Sequence, residues 1–309
     1  QYSKTRLVSS RVYDEIPASG SGASGINYEE TSYGYETFGT GKMGRQNRTL
    51  APDGTITRLV LDARGNTLET WIGTNDQSAS DPYPQGIGPS DNNMVQVAER
   101  VYDASGNAIS TTQYADAVSG LTTTYEHDWR NRMTGALAPG GVVTHYELDN
   151  LGRAVWTKTY ASADFTLSPG ELRGQTQSLY DARGRVYESR LYEVDPGDGT
   201  VGDYLPSRTW YDARGQVVKT AAASGLFQKY AYDGLGRTVA TYTSFDADET
   251  AYADADDVTG DTVIEQSQTW YNQAGGAIAT ATFQRFPDDT STTGALDAAN
   301  SYTTAAVTW

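Results

Sequence analysis

Apolar and polar residues alternate along most of this chain in short runs, and Gly, Pro, Asp or Asn interrupts every run. Thr57, Leu59 and Leu61 would share one side of an extended segment, with Arg58 and Val60 on the other. After a break, Leu68, Thr70 and Ile72 share one side and Glu69 and Trp71 the other. A period of two over five to eight residues predicts half-covered β-strands. The abundance of Thr, Val, Tyr and Trp beside the breaks suits a pleated surface. No segment carries the apolar stripe of an amphipathic helix. The Asp- and Ala-rich stretch 246–257 comes nearest and lacks it.

The breaks follow a phrase: an aromatic residue or Leu, then Asp, two variable residues, Gly, and Arg, Asn or Gln. It stands as Leu61-Asp62-Ala63-Arg64-Gly65-Asn66, Tyr102-Asp103-Ala104-Ser105-Gly106-Asn107 and Leu148-Asp149-Asn150-Leu151-Gly152-Arg153. It returns as Tyr180-Asp181-Ala182-Arg183-Gly184-Arg185, Tyr211-Asp212-Ala213-Arg214-Gly215-Gln216 and Tyr232-Asp233-Gly234-Leu235-Gly236-Arg237. Looser copies lie at His127-Asp128, where Asn131 replaces the Gly, and at Tyr271-Asn272 with Gly275; Tyr13-Asp14 and Tyr35-Glu36 are decayed ones. The Asp-to-Asp step is 21 residues from 128 to 149 and again from 212 to 233, and other steps add insertions to that unit. Such a length suits two strands and two turns. In Asp-x-x-Gly the Asp carboxylate accepts backbone N–H bonds, and the Gly tolerates positive φ. The predicted turn residues are therefore Asp62 and Gly65, Asp103 and Gly106, Asp149 and Gly152, Asp181 and Gly184, Asp212 and Gly215, and Asp233 and Gly236. A second turn class, at Ala51-Pro52-Asp53-Gly54 and Ala138-Pro139-Gly140-Gly141, marks the opposite edge of the unit.

The predicted fold is all-β: a long antiparallel meander of hairpins forming a curved or spiralling strip. Its 309 residues read as one continuous array, degenerate over 1–60, clear over 61–276 and partial over 277–309. Roughly twenty strands at ~4.8 Å would make a strip about 95 Å long. Hydrophobic content of 38% fits a wet, one-layer sheet, and the 22 Tyr can pack their rings while their hydroxyls reach water. Thr209-Trp210-Tyr211 and Thr269-Trp270-Tyr271 introduce two copies, and the sequence stops at Thr308-Trp309, where another would begin. That predicts an excerpt of a longer polypeptide.

The phrase at this spacing resembles the YD-repeat or RHS-repeat family, which includes bacterial RHS proteins, toxin-complex cocoon subunits and the YD shells of teneurins. The resemblance covers nearly the whole chain and is strongest from Leu61 to Tyr271. It implies a strip of hairpins coiled into a hollow β-shell that, in many bacterial members, encloses a toxic C-terminal domain. Other members act at cell surfaces in adhesion or sugar contact. The Asp-Pro-x-Gly-Leu-type segment that closes RHS shells and supplies their self-cleaving aspartates is missing; Asp195-Pro196-Gly197-Asp198-Gly199 lacks the Leu and reads as a turn. No toxin-like segment follows the repeats, so neither self-cleavage nor toxicity carries over.

Charge narrows the function classes. A formal charge of −16, from 39 acidic and 23 basic residues, argues against nucleic acid, which demands clustered Lys and Arg. There is no Cys for a disulfide or thiolate site, and no run approaches the ~20 apolar residues of a membrane helix. With only His127 and His145, and no Ser-His-Asp elbow, H-E-x-x-H or phosphate-binding Gly loop, the segment reads as non-enzymatic. His127 stands where Tyr usually heads the unit, which favours packing. Asn47-Arg48-Thr49 matches a glycan-acceptor sequon. Common turn chemistry makes each repeated Asp the cap of its own turn rather than one rung of a metal ladder.

Specificity is expected in the insertions at 74–93, 161–174, 195–206 and 246–264, because loops carry it while scaffolds hold them. The last is rich in acid. Asp254, Asp256, Asp257 and Asp261 form a calcium candidate, but the D-x-D-x-D-G order and the closing Glu are missing. A solvated acidic loop is the simpler reading, and no other cofactor is expected. Two functions follow. One is a wall segment of a secreted or surface shell, on the outside of a bacterial cell, that encloses a toxin or effector cargo domain of the same longer chain. The alternative is an extracellular adhesive or fibre-forming protein whose insertions bind partners, glycans or other copies of itself.

Overall fold

The computed structural model describes residues 2–3, 6–37, 44–86, 92–116, 119–245, 254–291 and 293–307. They form two compact units, Gln1–Thr144 with Ala161–Thr166, and His145–Tyr160 with Leu167–Trp309. Strands β1 (Tyr2–Ser3) and β2 (Arg6–Leu7) pair only with each other among the described residues. The rest of the first unit is a meander. It runs through β3 (Ser9–Tyr13), β4 (Tyr28–Tyr35), β5 (Gln46–Leu50), β6 (Ile56–Leu61) and β7 (Thr67–Gly73). It continues through β8 (Val95–Tyr102), β9 (Ala108–Tyr114), β10 (Gly120–His127) and β11 (Met133–Ala138). Each strand from β3 to β11 pairs antiparallel with the next. Strand β12 (Val142–Leu148) has residues in both units.

The second unit repeats the plan with β13 (Ala154–Ala161), β14 (Leu172–Tyr180), β15 (Val186–Val194), β16 (Val201–Tyr211) and β17 (Val217–Ala221). Strands β18 (Leu226–Tyr232), β19 (Thr238–Phe245), β20 (Thr262–Tyr271), β21 (Ala277–Arg285) and β22 (Ser301–Val307) complete it. Every neighbour pair from β13 to β22 is antiparallel. Helical structure among the described residues is limited to the 3-10 turn at Pro169–Glu171 and a 3-10 residue at Asp254. The helix candidate at 246–257 lies mostly outside the described residues.

The alternation sorts side chains as the sequence predicts, with one displacement. Thr57 faces Ile72 and Leu59 faces Thr70, so these four share a face. Leu61 then pairs with Thr67 because the register shifts after Val60. The shift is the bulge that Gly65, at φ +99°, introduces.

The two faces of the second unit differ in chemistry. A cross-strand row on one face reads Trp210, Lys219, Lys229, Tyr242, Gln266, Phe283. Lys219, Lys229 and Gln266 in that row are buried. The opposite face carries hydroxyls, as in the row Thr241, Ser267, Thr282, Thr304, whose last two members are exposed. Such a sheet needs few large apolar residues, which accounts for the low hydrophobic content.

Insertions cover the face that carries Lys229 and Gln266, and hydrogen bonds fix them there. Leu296 donates its amide to Gln266 Oε1 at 2.7 Å and accepts Gln266 Nε2 at 3.2 Å. In the first unit, Arg48 Nε and Arg58 Nη1 both reach Asp76 Oδ2, at 2.6 and 2.7 Å. The Asn47 amide donates to Asp81 Oδ1 at 2.8 Å. Asn47 is buried in this arrangement, so the sequon at 47–49 is closed to modification of the folded protein.

Candidate functional site

The repeated phrase builds one hairpin many times. At 181–185 the Gly184 amide donates to Asp181 O at 2.9 Å and the Asp181 amide donates to Arg185 O at 2.9 Å. Gly184 sits at φ +82°. This is a three-residue hairpin loop, a type I turn followed by a left-handed Gly. The same backbone bonds recur at Asp62 and Gly65, Asp103 and Gly106, Asp149 and Gly152, Asp212 and Gly215, and Asp233 and Gly236. Asn131 takes the Gly position of the looser copy at φ 62°, a conformation Asn tolerates.

Each turn Asp uses its carboxylate within its own loop. Asp181 Oδ1 accepts the amides of Arg183 and Arg185 at 2.9 Å each, and Oδ2 accepts Arg185 Nε at 2.7 Å. Asp149 with Arg153 and Asp233 with Arg237 repeat the pattern. Asp62 and Asp103 use Asn66 and Asn107 in place of the Arg. Asp212 Oδ1 accepts the Gln216 amide at 2.8 Å.

The Arg then reaches forward. Arg153, Arg185 and Arg237 lie 4.4, 4.2 and 4.5 Å over the rings of Tyr180, Tyr211 and Tyr271, each the head of the next unit. Those Tyr hydroxyls donate back to Ala154 O, Val186 O and Thr238 O at 2.9, 2.9 and 3.0 Å. The repeat thus forms a rail in which Asp orients Arg, Arg stacks on the next Tyr, and Tyr closes onto the previous hairpin. Position three of the turn adds a second link, from Arg183 Nη1 to Ala213 O at 2.8 Å and from Arg214 Nη1 to Gly234 O at 3.3 Å. Even the decayed copy keeps the logic: Arg45 pairs with Glu36 at 2.9 Å and reaches Asp62 O at 2.7 Å.

These bonds favour ionised carboxylates. The Arg185 amide holds the Asp181 carboxyl below its ordinary range, with help from the Arg185 side chain, while partial desolvation opposes them. The Arg153 and Arg237 amides do the same for Asp149 and Asp233. The Asn107 side chain lowers Asp103, and the Arg132 side chain lowers Asp128. A carboxyl depressed in the fold contributes stability above its unfolded value of ~3.9, and that contribution is lost as pH falls through the folded value. The rail is therefore expected to be insensitive to pH from neutrality down to about 4 and to loosen together below it. Hydrogen exchange at the Arg153, Arg185 and Arg237 amides checks this. Loosening between pH 7 and 5 would contradict it.

Shallow clefts accompany the rail. Cavities of about 370, 450 and 340 Å³ lie beside Tyr211, Tyr271 and Tyr102 respectively. The first two share a wall of Asp, Arg and the Trp preceding Tyr, at Trp210 and Trp270. Their recurrence marks them as products of the repeat rather than of one active centre. Among the described residues, no three His, Asp or Glu are grouped to hold a metal ion.

The calcium candidates do not converge as a carboxylate cage. Asp254, Asp256 and Asp257 are exposed, whereas Asp261 is buried. Asp257 Oδ1 accepts the Thr259 amide at 2.7 Å, which lowers its carboxyl below the usual range. What does converge there is Lys229, which the sequence pattern did not single out. Its Nζ donates to Asp254 O and Asp257 O at 2.6 Å each and to Asp261 Oδ1 at 3.1 Å. Asp261 Oδ2 lies 2.9 Å away, off the hydrogen-bonding direction, so the ammonium straddles the carboxylate. The signal was present in the alternation: Lys229 shares a face with Phe227 and Ala231, an unusual place for a side chain that seeks water. Asp246, Asp248 and Glu249, from the same acidic insertion, lie outside the described residues.

No family model matches the chain, and no curated protein matches it. Among solved structures it is similar to a chain of the TcdB2-TccC3 complex with Cdc42, at 12% identity and a TM-score of 0.35. That likeness covers 89% of this chain and 16% of the other. It is also similar to a chain of the Photorhabdus luminescens Tc holotoxin pore carrying a TccC3 mutation, at 12% identity and a TM-score of 0.34. Here 90% of this chain and 18% of the other are covered. The chain spans less than a fifth of the length of either matched chain.

Proposed function

We propose that this chain is a non-catalytic wall segment of a secreted or surface shell, and that the shell encloses an effector segment of the same longer polypeptide. The supporting observation is the fate of the repeated acids and bases. Asp149, Asp181 and Asp233 each engage both carboxylate oxygens within their own turns, and their Arg partners stack on the next unit. Groups held in this way carry load between hairpins. A general acid or base needs a free path to a substrate proton. Repeated units stitched to their neighbours suit an extendable wall. Enclosure draws on the resemblance of the phrase to shell-forming repeat proteins.

Protease protection of the intact secreted polypeptide tests this reading. The non-repeat segment should survive digestion while the repeats are folded and become cleavable once they are denatured. Digestion of that segment at the rate of its isolated form would remove enclosure. A mature polypeptide containing repeats alone would do the same.

A further inference from the structure

We propose that residues 254–261 form a cation-coordinating loop whose resident cation is the Lys229 ammonium, and that the vacated cradle would accept an alkylammonium or potassium ion in preference to calcium. The inference is independent of enclosure. It rests on four oxygens that the described residues place around one nitrogen: two main-chain carbonyls at 2.6 Å and a carboxylate spanned at 2.9 and 3.1 Å. Lys229 and Asp261 are 2% and 1% exposed, so water competes little for either charge.

Charge and size both select the occupant. Among the described residues, one buried carboxylate lies against one positive charge. Calcium takes 6–8 oxygens at about 2.3–2.6 Å and is helped by several carboxylates, whereas Asp254 and Asp257 contribute only carbonyls here. The cradle is wider and its charge lower, which suits a singly charged ion of ammonium size. All three N–H bonds of Lys229 have oxygen acceptors.

The backbone is built around this occupant. Gly260 turns at φ +91°, and the Asp261 amide donates to Val258 O at 3.2 Å. Asp261 O in turn accepts the Gly294 amide at 2.8 Å. One ammonium on β18 therefore fastens the acidic insertion, which fastens the next insertion. A tethered cation gives this loop its order without any free metal.

Chemical rescue tests the assignment in the full chain. Lys229→Ala removes the three carbons and nitrogen that propylammonium would replace. The variant should show faster hydrogen exchange over 254–261 and a lower melting midpoint. Propylammonium chloride should restore both saturably, potassium chloride partly, and calcium chloride no more than tetramethylammonium chloride at equal ionic strength. The wild type should respond to neither calcium nor EDTA. If Lys229→Ala does not fold, Lys229→Met is compared with Lys229→Met/Asp261→Asn, and the second should be the more stable because it buries no unpaired charge. Calcium rescue exceeding propylammonium rescue would overturn the proposal. So would a saturable calcium shift in the wild type, an absence of rescue by every cation, or a double variant no better than Lys229→Met.

Discussion

Asp261→Ala lowers the stability of the second unit by about 3–5 kcal/mol, the range for removing one partner of a buried ion pair. The loss arises less from the vanished attraction than from the charge left behind. Lys229 would stay in a site 2% exposed, held by its two carbonyl partners but deprived of the Asp261 carboxylate. Adding Lys229→Met to Asp261→Ala should therefore recover most of the loss, because neither charge then remains in the interior. Urea unfolding of the wild type and the two variants measures the effect. Equal instability of the single and double variants would show that packing, not charge, holds the insertion. The rim pairs offer a contrast in scale. Arg185 and Asp181 keep 26% and 24% of their side-chain surface, and solvent screens them. Exposed pairs of that kind contribute ~0–1 kcal/mol each. The rail draws its strength from repetition, whereas the Lys229 cradle concentrates its effect at one point.

Local chemistry explains which features could be foreseen. A turn at Asp181-Ala182-Arg183-Gly184 is written in four adjacent residues, and its hydrogen bonds close within that span. The partner of Arg185 across the rail is Tyr211, in the following unit. The phrase shows both residues but does not say that one stacks on the other, since insertions make the interval vary: Arg237 finds Tyr271 across a longer gap than Arg153 finds Tyr180. The acidic insertion illustrates a different limit. Counting its carboxylates suggests a metal, but two of the oxygens that gather around Lys229 are main-chain carbonyls, which no residue type announces. Asn47 is similar: the sequon is local, while the bond that buries its amide comes from Asp81. Glu188 is a further example. It is buried between Arg190 and Arg208, the first its neighbour on the same strand and the second supplied by the next strand.

Gly199→Ala is expected to be the most damaging of the glycine substitutions in the second unit's turns, at about 2–5 kcal/mol from left-handed backbone strain plus overpacking. Gly199 closes the loop between β15 and β16, where the Asp195 amide donates to Thr200 O at 2.9 Å and the Gly199 amide to Asp195 O at 2.8 Å. Its φ is +74°, which costs a side-chain-bearing residue strain on its own. A Cβ here would also overlap the Pro169 carbonyl oxygen and press on Gly170 Cα. Both obstacles are backbone, held by the 3-10 turn at Pro169–Glu171, so neither can swing aside. Gly225→Ala separates the two costs. Gly225 has φ +84°, and its Cβ would meet only the Phe245 ring at an ordinary 3.6 Å. It should lose about 1–2 kcal/mol from conformation alone. The excess at Gly199 measures how closely the β15–β16 loop lies against the 3-10 turn. Matching urea midpoints for the two variants would mean that this approach is loose in solution. A larger loss at Gly199, with faster exchange at the Thr200 and Leu172 amides, would establish the insertion loops as mutually braced parts of the scaffold.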